Sequence, residues 1–233
     1  MTLTRRDFVA TGALATTGLV APSAALAEAP VDRPALGATV PFDFDLSALE
    51  RVADEAYAHR QVAAPPTYAA ATALMSRFKN ALDAYTDPHG FAGGARSLHC
   101  AAVLYAGRSY TMAFDDAMYA KYPIGLVNDE EMRPDDTRYR AYWTAVRHNT
   151  MMEFLRPLIE QGLSLFVCNH ALSGFALELA RRVAPNGSPP TRAQVVRVHD
   201  DLASHFVPRT MLVPAGVAAV NALQEHRYTY LPS

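Results

Sequence analysis

Cysteine is scarce in this chain, and its scarcity removes several classes of protein at once. The 233 residues hold two, Cys100 and Cys168, too few for a disulfide-built scaffold. They also leave no Cys-x-x-Cys-His for haem attachment. The eight histidines contain no His-Glu-x-x-His pair, and Cys168-x-His170 lacks the paired spacing of a zinc site. No metal and no cofactor are therefore expected. A Gly-x-Ser-x-Gly elbow is absent too, which argues against a serine hydrolase of the α/β type. Basic residues never run beyond a pair and the formal charge is −2, so neither nucleic acid nor an anionic membrane surface is an expected partner. No stretch after the leader reaches the roughly 18 uninterrupted apolar residues that a membrane span needs. The mature chain is expected to have no membrane span.

What is present begins with Thr4-Arg5-Arg6-Asp7-Phe8-Val9, followed by a mildly apolar run to Val20 and by Ala25-Leu26-Ala27. This resembles a twin-arginine export signal cleaved near Ala27. Its apolar run is about 12 residues, too short to cross a bilayer core of roughly 30 Å as a helix. The resemblance implies the twin-arginine export machinery as a partner and the periplasm as destination. Four segments are then expected: the signal at 1–27, an extended Ala- and Pro-rich arm at 28–45, an N-terminal helical extension at 46–96 and an α/β domain at 97–233.

Within the extension, Ser47 with Glu50 three residues on reads as a helix start. A second helix is expected from Tyr68 to Tyr85, its buried stripe made of Leu74, Phe78, Leu82 and Tyr85. The segment 98–105 is a nearly continuous apolar strand, with His99 and Cys100 read as packing residues. A helix holding Met112, Phe114, Met118 and Tyr119 is expected next, stopped by Pro123. An acidic segment at 129–136, including Asp135 and Asp136, reads as a solvated loop, and Tyr139, Tyr142 and Trp143 stand beyond it. A helix from Asn149 to Gln161 gives way at Gly162 to a strand over 163–167. Ser173 is expected to cap the helix that follows, and Thr191 with Gln194 the one after it. The last unit is a strand at 210–213, a turn at Pro214-Ala215-Gly216, a helix and a short final strand.

Short apolar strands separated by amphipathic helices predict a three-layer open sheet of mainly parallel strands, with helices on both faces and the N-terminal helical extension added. Right-handed crossovers bring three loops to one edge of that sheet. The candidate ligand-binding residues there are Tyr105, Gly107, Pro214, Gly216 and Val217. Cys168 closes the central strand at the same edge, close to a helix N-terminus. Backbone N–H groups at such a place favour a thiolate, which makes Cys168 the candidate nucleophile and Asn169 and His170 its orienting or protonating neighbours. Cys100 lies near the start of its strand, so about six residues at roughly 3.3 Å each separate the two cysteines along a parallel sheet. Two free thiols are expected.

Three pieces of the chain resemble the DsrE-like family of sulfur-relay proteins. They are Ala102-Val103-Leu104-Tyr105-Ala106-Gly107 with the helix after it, residues 159–169 from Ile159 through Gly162 to Cys168 and Asn169, and Val213-Pro214-Ala215-Gly216-Val217 with the helix and strand that finish the chain. Cys168 matches the position at which the family's sulfur-carrying members hold a persulfide. The resemblance implies a sulfur donor or a small anionic ligand as partner and a homo-oligomer as the assembly. It differs from the family's intracellular members in its export signal and in its acidic insertion. Two functions stay open from the sequence: an exported sulfur carrier or thiol-dependent small-ligand protein using Cys168, and a non-enzymatic binding or assembly module that keeps the fold.

Overall fold

The computed structural model describes residues 38–91, 97–126, 128 and 145–232, all belonging to the unit Pro34–Ser233. The segment expected to be an export signal, with Arg5, Arg6 and Ala27, the acidic segment 129–136 and the aromatic residues Tyr139, Tyr142 and Trp143 lie outside the described residues.

The first helix, α1, is Leu46–Ala53, and its cap is Asp45, whose carboxylate accepts from the Ala48 amide. The expected cap, Ser47, instead donates its hydroxyl to that carboxylate. A strand follows where the sequence analysis expected none: β1, His59–Ala63. Helix α2, Tyr68–Thr86, is capped by Thr67 and buries Leu74, Phe78 and Leu82 of the expected stripe, with its last member, Tyr85, only half-buried. Strand β2, Leu98–Leu104, is buried at every position.

Beyond β2 the single expected helix is two pieces, a 3₁₀ turn at Ser109–Ala113 and α3, Asp116–Lys121. The break has a local cause, because Asp115 adopts extended backbone and caps α3 with its side chain, as short acidic residues favour at that position. Helix α4 is Met152–Gln161. Asn149, expected to begin it, is buried and donates its amide to the Met112 and Phe114 carbonyls instead, at 2.8 and 2.7 Å. Gly162 ends α4 at φ 122°, a conformation that favours glycine, and β3, Leu163–Cys168, follows, buried throughout.

Helix α5, Asn169–Val183, starts with no intervening loop. The sequence analysis placed its cap at Ser173, but the buried face of Leu172, Phe175, Ala176 and Leu179 extends one turn earlier. Cys168 takes the capping position and Ser173 lies inside the helix. Helix α6, Arg192–Ala203, carries the expected capping box of Thr191 and Gln194. Strand β4, Thr210–Val213, helix α7, Gly216–Glu225, and strand β5, Thr229–Tyr230, complete the fold.

All strand pairings among the described residues are parallel, in the order β4-β3-β2-β1-β5. The expected three-layer α/β sheet is therefore present, and the segment expected to be a helical extension also contributes β1, a strand inside the sheet. From β1 to β4 the chain steps sideways one strand at a time in one direction, and then α7 carries it back across the sheet to β5. Right-handed crossovers place helices of opposite stepping direction on opposite faces, and the core divides accordingly. Cys100, Ala102, Leu104, Leu165 and Val167 pack with α2, α4, α5 and α6. Ala101, Val103, Phe166 and Val213 pack with α1 and α7.

Candidate functional site

At the carboxyl edge of the sheet, neighbouring strands among the described residues send their chains to the same face except where β3 and β4 meet. β3 leads into α5 on one face and β4 leads into α7 on the other, and the two strands are paired, with Cys168 opposite Val213. Where adjacent strands diverge in this way a crevice opens, and open α/β sheets bind ligands there. Cys168 stands at its mouth as the last residue of β3 and the residue that opens α5. Both cysteines are free thiols. They occupy different settings: Cys100 pairs with Leu163 at the far end of β3 and is fully buried, and burial pushes its thiol up to about 12. Cys168 retains 6% exposure.

Asn169 and His170 both point their hydrogen bonds at the chain before α1. The Asn169 amide donates to the Val40 carbonyl at 2.8 Å. A carbonyl can only accept, so the other end of that amide, Oδ1, faces His199 Nε2 at 2.7 Å and receives its hydrogen. His199 Nδ1 faces the Asp200 carboxylate at 3.0 Å. His170 Nδ1 meets the Thr39 hydroxyl at 2.7 Å. Ser173 Oγ accepts from the Val40 amide at 3.0 Å. Arg192 donates to the Ala38 and Thr39 carbonyls. The neighbours expected to serve the thiol thus hold residues 38–40 against the first turn of α5.

Three of the remaining candidate residues line two separate hollows. Tyr105 and Val217 line a cavity of about 320 Å³ together with Ala64, Gln224 and Tyr230. Pro214 lines a smaller apolar one of about 140 Å³ with Phe44, Leu46 and Val213. Cys168 lines neither. Gly216 is where the loops after β2 and β4 meet: a Cβ added there would stand 2.5 Å from Tyr105 Cβ, so only glycine allows the approach. Gly107, at φ 47°, turns the chain after β2 and gives its carbonyl to the Tyr68 amide at 2.7 Å.

The opposite edge of the sheet carries a polar cluster that the sequence reading treated as packing. His99, fully buried, has Nε2 at 2.9 Å from Ser164 Oγ and Nδ1 at 2.6 Å from the Tyr228 hydroxyl. Arg209 donates to Ser164 Oγ and to Glu55, and Tyr57 stacks on the imidazole at 4.7 Å. Burial, assisted by the charges of Arg209 and Arg60 and opposed by Glu55, pushes His99 down to about 4. Its role is to satisfy a buried face as a neutral ring. Tyr228 and Ser164 are far from His99 in sequence, so no local pattern announces the cluster. His199 had a weak signal, a histidine between the buried Val198 and Leu202 of α6.

Among the described residues no group of three or more His, Cys, Asp or Glu side chains could hold a metal ion, and no helix is long and apolar enough to cross a membrane. No protein-family model matches the chain, and no curated protein matches it. Among solved structures it is similar to MTH1491, a protein of unknown function from Methanobacterium thermoautotrophicum. The TM-score is 0.40 and the identity 11%, over 75% of this chain and 99% of that one.

Proposed function

We propose that this is an exported DsrE-like protein that uses Cys168 as a reactive thiol, as a carrier of persulfide sulfur or in thiol-dependent handling of a small ligand. The observation that carries the reading is positional: Cys168 ends β3 at a point of the carboxyl edge where the chain diverges to both faces. No side chain caps the N-terminus of α5, which Cys168 opens, and the orphan backbone N–H groups of a helix start can hold an anionic group. In sulfur transfer the thiolate attacks the outer sulfur of a donor persulfide. The S–S bond of the donor breaks, its inner sulfur leaves as a thiolate, and Cys168 holds the transferred atom as a persulfide. The twin-arginine leader supports a periplasmic setting, and the family resemblance supports a homo-oligomer and a sulfur donor or small anion as partner.

Differential alkylation of the native protein near neutral pH tests the thiol assignment. Cys168 is expected to react before Cys100, whose thiol is held protonated by burial. Equal resistance of the two would remove the support for a reactive Cys168.

A second reading, a non-enzymatic binding module, is favoured by one specific feature. The cavity of about 320 Å³ lined by Tyr105, Val217, Gln224 and Tyr230 is of small-ligand size and does not include Cys168. Ligand binding unaffected by Cys168→Ser would support that reading over the first.

A further inference from the structure

The chain between Thr39 and α1 crosses the site. Val40 is 1% exposed and packs in the core on the α5 face of the sheet, held by the amide of Asn169 and the hydroxyl of Ser173. Phe44, partly buried, packs against the core cluster on the α7 face that includes Val213, and it lines a hollow with Val213 and Pro214 at the end of β4. Four residues of chain reach at most about 14 Å, which allows no detour. Between those two anchors the backbone therefore passes from one face to the other over the ends of β3 and β4, across the crevice that β3 and β4 open. Cys168, 6% exposed, directly precedes Asn169, whose side chain holds Val40 at the start of that crossing.

We infer that residues 38–44 form an autoinhibitory strap over Cys168, latched to the first turn of α5 and to Arg192, and that the thiol meets its partner only when the strap lifts. This rests on the reading of Cys168 as the reactive thiol. The latch combines outer bonds, Thr39 to His170 and Arg192 to two carbonyls, with the buried bonds of Asn169 and Ser173 to Val40. Bonds of that kind each contribute modestly, so the strap can open locally while the sheet stays folded. His199 is a positioning residue for the latch. Its Nε2–H holds Asn169 Oδ1, which fixes the amide with its donor end toward Val40.

The test uses the full chain and reads two quantities at once, the alkylation rate of Cys168 and the hydrogen exchange of the Val40 amide. Arg192→Met and Thr39→Val each remove latch bonds at positions outside the core. Each is expected to accelerate both quantities by about tenfold, with Cys100 still unreactive. His199→Leu is expected to do the same through Asn169. Faster exchange at Val40 with an unchanged Cys168 rate would overturn the strap, because it would open without uncovering the thiol. No change in either quantity would also overturn it. A Cys168 that alkylates faster in these variants yet takes no sulfur from polysulfide would leave the strap standing and contradict the sulfur-carrier reading alone.

Discussion

Phe175→Ala is expected to lower the unfolding free energy by about 3–5 kcal/mol, the usual cost of deleting a buried aromatic ring from a core. Phe175 is 1% exposed. Its ring stacks on Phe114 with centroids 6.1 Å apart and meets Tyr110 edge-on at 5.3 Å, and Phe114 stacks in turn on Phe206. That row ties α5 to the 3₁₀ turn after β2 and to the chain end of α6. Removing Phe175 leaves a cavity between α5 and the 3₁₀ turn beside the rings of Tyr110 and Phe114, which a close-packed core fills only in part. Denaturant titration is expected to show a lower midpoint with an unchanged slope. A loss below about 1 kcal/mol would mean that α5, and with it the turn opened by Cys168, is not held by this row.

Acid is expected to weaken the fold through His99. The ring titrates at about 4 in the folded protein and near 6.5 in an unfolded chain. Between those values the unfolded state binds the proton and the folded state does not, so stability falls as pH falls. The contribution is complete above pH 6.5 and is lost progressively down to about pH 4, in total about 3 kcal/mol. The cause lies in the cluster itself. Tyr228 and Ser164 occupy both ring nitrogens, Tyr57 covers one face of the ring, and the nearby cations Arg209 and Arg60 oppose a third positive charge. Unfolding midpoints measured across this pH range are expected to slope more steeply for the wild type than for His99→Gln. Equal slopes would show that His99 does not hold its neutral form in the fold.

Legibility in the sequence followed burial. β2 and β3 were readable because both of their faces are covered and every position except His99 is apolar or small, whereas β1 was not. It begins with His59, Arg60 and Gln61, exposed or half-buried at one end of the strand, and only Val62 and Ala63 are buried. Two buried residues do not make a pattern, and the strand exists because β2 and β5 pair with its backbone on either side. The start of α6 was readable because Thr191 and Gln194 form a capping box, whereas at α1 the cap is Asp45 rather than Ser47 and at α5 Cys168 turns the backbone with no side-chain bond. The three loops of the candidate site were placed at one edge by crossover handedness alone. Which of their side chains face a hollow depended on contacts the sequence does not encode locally, such as Gly216 against Tyr105. Asn169 and His170 were legible as polar residues beside the cysteine, but their partners, Val40 and Thr39, stand 129 and 131 residues away.

The most direct test of Cys168 as the sulfur-carrying thiol is intact mass spectrometry of the mature protein after exposure to polysulfide, with wild type and Cys168→Ser compared. The wild type is expected to gain the mass of one sulfur atom, released by reductant, and Cys168→Ser to gain none. An equal gain in both proteins, or no gain in the wild type and in the strap-opened Arg192→Met alike, would contradict it.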